Sequence, residues 1–311
     1  MSLLEVKHVK KTYSVGTMMS KKYLIHAVRD ISFSLEEGKC IGIVGESGCG
    51  KSTLGRMIAG IETMDSGEIW FLEEIIDSCH KQSAWRQKIQ MVFQDSYDAG
   101  NPRMTAKEIL EEPLNNFFNL SRNELNNRLE ELMTIVGLPI SELGKRPHQF
   151  SGGQLQRICI ARALAANPSL IVLDEPLSSL DVSVQAQILN LLQDIKIRNG
   201  VSYILISHDI EAVYYMADSL AVIYGGEIVE RLDDICNIKF LVHPYSKRLM
   251  KPLSERDTIE EATIMIPFKS KQKGCIYAAR CEKAQDICFK QSCTLSKIST
   301  GHYCACHFVN Q

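Results

Sequence analysis

The chain has 311 residues, of which 45% are hydrophobic and 23% are charged, enough for one large domain with a real core and a smaller one. Its formal net charge is −2, so no broad positive field favours nucleic-acid binding. No apolar run approaches the roughly 18 residues that span a bilayer. The first residues also lack the basic and apolar regions of a secretory signal, so we expect a cytosolic protein that touches membranes only through partners.

The first informative motif is a glycine-rich loop between a predicted strand and a predicted helix. Predicted strands near residues 3–9 and 28–35 precede the apolar run 40–44, which predicts a buried strand. Residues 45–52, GESGCGKS, then fit the pattern G-x-x-x-x-G-K-[ST], and an amphipathic stretch follows. In such a loop the backbone amides surround phosphates, the lysine adds a cation and the hydroxyl ligates magnesium. The predicted nucleotide-binding residues are Gly45, Ser47, Gly48, Cys49, Gly50, Lys51, Ser52 and Thr53.

Three later strands end in polar residues at the carboxyl edge of the predicted parallel sheet, where ligands of open α/β sheets bind. The first ends at Gln94, whose amide is suited to reach magnesium or water. The second leads into Asp174, suited to hold magnesium, and Glu175, suited to act on water as a general base. The third leads to His208, which we expect to contact the γ-phosphate and the attacking water.

A mostly helical block from about 105 to 166 is predicted to interrupt the sheet. Within it, residues 122–136 form an amphipathic pattern with an apolar face. Near its end comes a segment that opens the helical pattern 155–166 and that we call the signature segment: Ser151, Gly152, Gly153 and Gln154. With Ser151 as N-cap, two glycines leave backbone amides bare at a helix start, which favours an anion such as a terminal phosphate.

In this order, the motifs resemble the ATP-binding cassette family over residues 1 to about 250. The resemblance implies an α/β fold, a P-loop (RecA-like) cassette with a mostly parallel core sheet, an antiparallel β portion and a helical subdomain. The cassette would cover residues 1–253, and a small Cys-rich C-terminal extension, here called the tail, would cover residues 254–311. ATP and Mg²⁺ are the implied ligands.

The family's residue roles follow by resemblance. Lys51 and Ser52 match Walker A, Asp174 matches Walker B, Glu175 the catalytic base and His208 the switch histidine. Tyr13 matches the position that stacks on adenine, with Tyr23 as a nearby rival, and Asp181 lies in the loop that communicates between paired cassettes. The signature segment would complete the nucleotide site of a second cassette.

The type of cassette follows from its size and from one stretch of sequence. About 100 residues separate Lys51 from Ser151, too few for a long coiled-coil arm, and only one cassette is present, which favours a transporter subunit. Residues 90–97 and 101–105 resemble the F-type ATPase subunits of dipeptide and oligopeptide importers, although Ser96 stands where the pattern usually has proline.

That resemblance implies an ATPase subunit of a peptide importer. Its partners would be a second, non-identical ATPase subunit, two membrane permease subunits and, indirectly, an extracytoplasmic substrate-binding protein, with no nucleic acid. The chain would lie at the cytoplasmic face of the cell membrane. A nickel or metallophore importer, and a soluble ATP-dependent regulatory switch with a redox-sensing metal tail, are the alternatives.

Six of the chain's eleven cysteines crowd into the tail, a density that points to metal binding in a reducing compartment. The spacing resembles the C-terminal extension of oligopeptide transporters, some of which bind a [4Fe–4S] cluster. By that resemblance the ligands are Cys275, Cys281, Cys288 and Cys306, whereas Cys293 and Cys304 are additions. Zinc, with His302 or His307, and metal-free packing of thiols are the alternatives.

Overall fold

The computed structural model describes residues 2–15, 23–76, 84–94, 101–251 and 274–309. The strands of these ranges are β1 (Ser2–Val15), β2 (Tyr23–Glu36), β3 (Cys40–Val44), β4 (Ser66–Phe71), β5 (Glu74–Ile75), β6 (Ile89–Val92), β7 (Leu170–Asp174), β8 (Ser202–Ser207), β9 (Ser219–Tyr224), β10 (Glu227–Leu232), β11 (Ser296–Ser299) and β12 (His302–Cys304). The α-helices are α1 (Lys51–Ile58), α2 (Trp85–Lys88), α3 (Ala106–Phe117), α4 (Arg122–Ile135), α5 (Gly152–Ala165), α6 (Val182–Asn199), α7 (Ile210–Met216), α8 (Pro244–Met250) and α9 (Asp286–Lys290). Short 3-10 helices occupy Ile140–Gly144, Pro147–Gln149, Ile235–Phe240 and Ala278–Arg280.

The strands form one continuous sheet in the order β5-β4-β1-β2-β10-β9-β3-β8-β7-β6. Strands β9, β3, β8, β7 and β6 pair in parallel and form the core, while β1 pairs antiparallel with β2 and β4. This arrangement confirms the predicted mostly parallel core with an antiparallel portion. Because β3, β7 and β8 are parallel neighbours, their carboxyl ends lie at one edge of the sheet.

The core lies on both faces of the sheet, because successive side chains of a strand point to opposite faces. In β8, Tyr203 and Leu205 pack into the cluster that includes the helical block. Their neighbours Ile204 and Ile206 pack into a second cluster with α1 and the β1–β2 hairpin. The strands buried on both faces therefore read as continuous apolar runs, the pattern that made them predictable.

The predicted helical block is present as α3, α4 and α5, and each of these helices begins with a reciprocal capping box. Strands β1 and β2 are longer than the predicted ranges 3–9 and 28–35. Their extensions pair in register, for example Tyr13 with Ile25. The extension of β1 is mostly polar, and that of β2 carries apolar residues that are exposed rather than alternately buried, so the apolar pattern did not reveal either one. Among the described residues, no helix is both long enough and apolar enough to cross a membrane.

The tail is joined to the sheet of the cassette. Strand β12 pairs antiparallel with β10, and β11 pairs with β12. The fully buried Glu230 carboxylate accepts hydrogen bonds from the backbone amides of Val242 and His243, at 2.7 and 3.1 Å, and lies 2.8 Å from His302 Nε2. The domain boundary at 253/254 stays a prediction, because residues 252–273 lie outside the described ranges.

Candidate functional site

The phosphate loop, residues 45–52, connects β3 to α1 and holds its lysine inside. Lys51 is 4% exposed, and its Nζ donates to the carbonyl oxygens of Gly45 and Glu46, at 2.7 and 2.9 Å. Gly50 has φ +101°, and a Cβ there would lie 2.0 Å from the carbonyl oxygen of Ala27 on β2. Only glycine fits that position. The loop is thus shaped by the adjacent hairpin as well as by its own sequence.

A hydroxyl and a carboxylate meet where the phosphate loop faces β7. Ser52 Oγ donates to Asp174 Oδ1 at 2.8 Å, and Asp174 is 2% exposed. Burial raises the pKa of Asp174 above its ordinary value, an effect that the Ser52 hydrogen bond partly opposes. Two hard oxygen ligands at the mouth of a phosphate loop fit Mg²⁺ bound with a nucleotide. Thr53, predicted to contact the nucleotide, follows in the first turn of α1.

Glu175 and His208 form a second pair at the same edge. Glu175 Oε2 lies 2.8 Å from His208 Nδ1, and the Glu175 side chain is 10% exposed against 57% for His208. Glu175 has φ +48°, a left-handed conformation unusual for a residue with a side chain. Its backbone amide donates to the carbonyl of Ile206 on β8 at 2.9 Å. Such conformations cluster at functional sites.

Two other predicted residues, Gln94 and Tyr13, lie on different parts of the sheet. Gln94 follows β6, whose Val92 pairs with Leu173 of β7, so it emerges at the same edge as Asp174. Tyr13 lies near the end of β1, half-buried, with Lys11 Nζ 5.4 Å from its ring centroid. Its rival Tyr23 is 49% exposed.

The signature segment begins α5, with Ser151 as N-cap as predicted. Ser151 Oγ accepts from the Gln154 amide at 3.3 Å, and Gln154 Oε1 accepts from the Ser151 amide at 3.0 Å. Gly153 also has a packing role that the sequence did not reveal, because a Cβ there would lie 2.4 Å from Val184 Cγ1 of α6. Helix α5 packs against α3, α4, α6 and the strand β6 and buries its side chains in the cluster on one face of the sheet, whereas α1 packs against β7 and β8 in the cluster on the other face. The signature segment and the phosphate loop therefore belong to different layers of the chain.

Comparison with known proteins agrees with this geometry. Residues 28–178 match the protein family described as ABC transporter. The chain is 38% identical to the oligopeptide transport ATP-binding protein AppF of Bacillus subtilis (strain 168), over 99% of the chain and 98% of that protein. The chain belongs to the ATP-binding cassette family. It is also 39% identical to the dipeptide transport ATP-binding protein DppF of Escherichia coli (strain K12), over 99% of the chain and 95% of that protein.

A solved structure supports the fold and the enzymatic class. The dimeric structure of a post-hydrolysis state of the ATP-binding cassette MJ0796, bound to ADP and Pi, superimposes with a TM-score of 0.65 at 30% identity. The match covers 72% of this chain and 96% of that one. This chain is accordingly an α/β cassette ATPase, and ATP with Mg²⁺ is its nucleotide substrate.

The structure shows contacts between the phosphate loop and distant residues that the motifs did not indicate. Glu46 is bonded to Arg280 of the tail through both carboxylate oxygens, and its backbone amide donates to Tyr245 Oη. Arg280 lies 234 positions away from Glu46 along the chain, and the two residues belong to separate motifs that no common spacing connects. No sequence signal of the kind used above would have found this contact.

The tail brings its cysteines together. Burial raises the pKa of Cys281, and the charges of Cys275, Cys306 and Cys288 raise it further, so these four thiols are electrostatic neighbours. A hydrogen bond between Cys293 and Cys275 holds the pKa of Cys275 below its ordinary value. Cys293, predicted as an addition to the ligand set, is thus a direct partner of one of its members.

The two histidines of the tail have other partners. His302 lies against Glu230, and His307 Nε2 is 3.0 Å from the carbonyl oxygen of Gln291. Across the described ranges, no three His, Cys, Asp or Glu side chains converge in an arrangement that could hold a metal ion. The cysteine ligand set therefore stays a prediction.

Proposed function

We propose that this chain is the ATP-hydrolysing subunit of a peptide importer. The observation that carries the proposal is the pairing, at one sheet edge, of Ser52 with Asp174 and of Glu175 with His208, both at 2.8 Å. Relatives named for oligopeptide and dipeptide transport match nearly the whole chain, tail included. These names favour peptides over nickel or metallophores, and transport over a soluble regulatory switch.

The pairs suit different tasks in ATP hydrolysis. Lys51 and the loop amides would bind the phosphates, while Ser52, Asp174 and Gln94 would hold Mg²⁺. Held by these residues, Mg²⁺ would supply positive charge that offsets the negative charge of the phosphates. Glu175 would accept a proton from the attacking water, because its carboxylate is mostly buried and is oriented by His208. Tyr13 would stack on the adenine.

The site is proposed to be completed by a second cassette. Ser151 caps α5 on its own chain, and the exposed start of that helix presents backbone amides to an anion. Because α5 and α1 lie in different layers, the signature segment is better placed to face a partner's nucleotide than its own. We propose a non-identical ATPase subunit as that partner.

Membrane permeases are the other proposed partners, and they would bind a different surface of the chain. The stretch from Gln94 to Thr105 would contact them, although residues 95–100 of this stretch lie outside the described ranges. The chain would then sit peripherally at the cytoplasmic face of the membrane, and a substrate-binding protein would act indirectly from outside. Co-purification of the full chain with permeases, lost on substituting residues 101–104, would support this contact. Retention of the permeases after those substitutions would contradict it.

The finer proposal for the tail is a [4Fe–4S] cluster on Cys275, Cys281, Cys288 and Cys306. What supports the proposal is the kind of donor, since thiolates are the usual ligands of iron–sulfur clusters and the charges of Cys275, Cys306 and Cys288 act on Cys281. Anaerobically purified protein should contain iron and acid-labile sulfide, and replacing these four residues by serine should remove both. Cys236→Ser, at an exposed cysteine outside the tail, is the matched control. Zinc without sulfide, or no metal at all, would contradict the proposal.

The central test of the proposed function is Glu175→Gln in the assembled transporter. The amide keeps the shape of the side chain but cannot accept the proton, so hydrolysis should slow by about 10²–10⁴-fold while ATP binding persists. Glu211→Gln, at an exposed glutamate in the first turn of α7, is the control and should hydrolyse ATP normally. Unchanged hydrolysis in Glu175→Gln would remove Glu175 from this role.

A further inference from the structure

One residue of the phosphate loop is bound directly by the tail. Arg280 Nη1 donates to Glu46 Oε2 at 2.7 Å, and Nη2 donates to Glu46 Oε1 at 3.1 Å. Arg280 ends a short 3-10 helix immediately before Cys281. The Arg280 side chain is 19% exposed and that of Glu46 37% exposed, so the pair is only partly screened by water. A two-pronged pair of this kind fixes the orientation of both groups as well as their distance.

The backbone of the same residue is held by a buried tyrosine. The Glu46 amide donates to Tyr245 Oη at 2.7 Å, and Tyr245, in α8, is fully buried. Tyr245 packs against Tyr224 and Tyr277, with ring centroids 4.7 and 5.4 Å apart, and the Arg280 guanidinium lies 5.8 Å from the Tyr224 ring centroid. The two groups that hold Glu46 thus rest on one aromatic cluster built from the sheet, α8 and the tail.

Glu46 is in turn bonded to the lysine of the site. Its carbonyl oxygen accepts from Lys51 Nζ at 2.9 Å, beside that of Gly45 at 2.7 Å. Glu46 therefore makes three kinds of contact at once, through its carboxylate, its amide and its carbonyl. A shift of this residue would move the carbonyl that orients Lys51, so the fixed position of Glu46 helps to set the shape of the loop before phosphate binds.

We propose that Arg280 is a positioning residue for nucleotide binding, which acts with Tyr245 by fixing Glu46 and hence the first limb of the phosphate loop. The tail is then part of the ATP site, because it supplies the cation that holds the loop. The proposal rests on the chain's being a cassette ATPase and extends that assignment to a residue far from its motifs.

The expected effect of losing Arg280 falls on binding more than on hydrolysis. Pre-shaping a loop improves ligand binding by removing the cost of ordering it. Arg280 contacts neither Glu175 nor His208 in any hydrogen bond or ion pair of the described structure. The rate at which bound ATP is hydrolysed should therefore change little. For a partly exposed ion pair, we expect Arg280→Met to raise the Kd and the KM for Mg·ATP about 3- to 10-fold, with kcat within about twofold.

The test measures Mg·ATP binding by the full chain and ATPase kinetics in the assembled transporter. Arg280→Met and Glu46→Gln should each weaken binding, and the double variant should be no worse than either, because both remove one interaction. Arg280→Lys should restore binding only in part, since lysine cannot form the two-pronged pair. The matched control is Arg128→Met, which breaks an Arg–Glu pair with Glu131 at 2.6 Å in α4. It should leave Kd unchanged.

The outcomes separate this proposal from a purely structural role and from the cassette assignment. If Arg280→Met and Glu46→Gln left Kd and KM within twofold of the parent while making the tail sensitive to protease, Arg280 would be only an anchor for the tail. Glu46→Gln keeps the shape of the side chain and so tests the proposal even if Arg280→Met folds poorly. Failure of the parent chain itself to bind Mg·ATP would contradict the ATPase assignment instead.

Discussion

The close approach of α5 to α6 predicts a specific cost for adding one methyl group to the signature segment. A Cβ on Gly153 would lie 2.4 Å from Val184 Cγ1, whereas carbon atoms in contact are about 3.5–4.0 Å apart. The helices would have to separate by about 1 Å, because a valine in a helix has essentially one favoured side-chain conformation and cannot turn away cheaply. Gly153→Ala should therefore be destabilising.

The magnitude follows from two opposing effects. Overpacking a well-packed contact costs about 1–3 kcal/mol. Alanine is favoured over glycine inside a helix by up to about 1 kcal/mol, and less in the first turn, where residue 153 lies. We expect the free energy of unfolding to fall by about 1–2 kcal/mol. In a Val184→Ala background the clashing methyl is absent, so Gly153→Ala should become neutral or stabilising.

Urea unfolding of the parent, the two single variants and the double variant gives the coupling directly. Gly152→Ala is the control, since a Cβ there would meet only the end of the Leu180 side chain, at 3.3 Å. An equal loss from Gly153→Ala in both Val184 backgrounds would refute the reasoning, because it would mean that the contact with α6 does not set the cost.

Three further predictions follow from other contacts. Burial lowers the pKa of His243 from 6.5 to about 4, so the unfolded chain binds more protons than the folded chain between these values. The free energy of unfolding should therefore fall by roughly 2 kcal/mol from pH 8 to pH 5. The variant His243→Asn should remove this loss. If the free energy of unfolding of the variant fell with pH as steeply as that of the parent, the assignment of the loss to His243 would be wrong. Ser151→Arg should impair ATP hydrolysis in the assembled transporter by disturbing the nucleotide site of the partner cassette, while ATP binding by the isolated chain stays normal; weakened binding by the isolated chain would argue that the segment serves its own site. Glu230→Gln should lower the free energy of unfolding by about 1–3 kcal/mol, because an amide cannot accept from all three donors around the buried carboxylate, and a neutral result in urea unfolding would contradict this.

The parts of the fold that could be predicted are those with a local cause. The runs that form β3, β7 and β8 are apolar because both faces are buried, and the residues that end them belong to motifs with a fixed spacing. Ser151 could be placed as an N-cap because a cap depends on the residues three positions further along the chain. The phosphate loop was predictable because its motif also lies within a few consecutive residues.

Features set by contacts between distant parts of the chain could not be predicted. Gly153 looked like a residue that bares backbone amides, but its packing depends on where α6 lies. His302 was an alternative zinc ligand by its sequence position, but it lies against Glu230, 72 positions away. Glu175 has a left-handed backbone and a hydrogen bond from its amide to Ile206 of β8, 31 positions further along the chain. None of these contacts leaves a periodic trace in the sequence.

The adjacent acids Asp174 and Glu175 show why the structure is needed to distinguish two similar groups. Asp174 is 2% exposed and bonded to a neutral hydroxyl, and burial raises its pKa, so its ionised form gains most from a nearby cation. Cation binding and ionisation of Asp174 must then favour each other, and protons must compete with the cation as the pH falls. Glu175 already has a partner in His208, whose side chain is mostly exposed. The arrangement thus fits Asp174 for holding a cation and Glu175 for receiving a proton, a division that two neighbouring letters cannot specify.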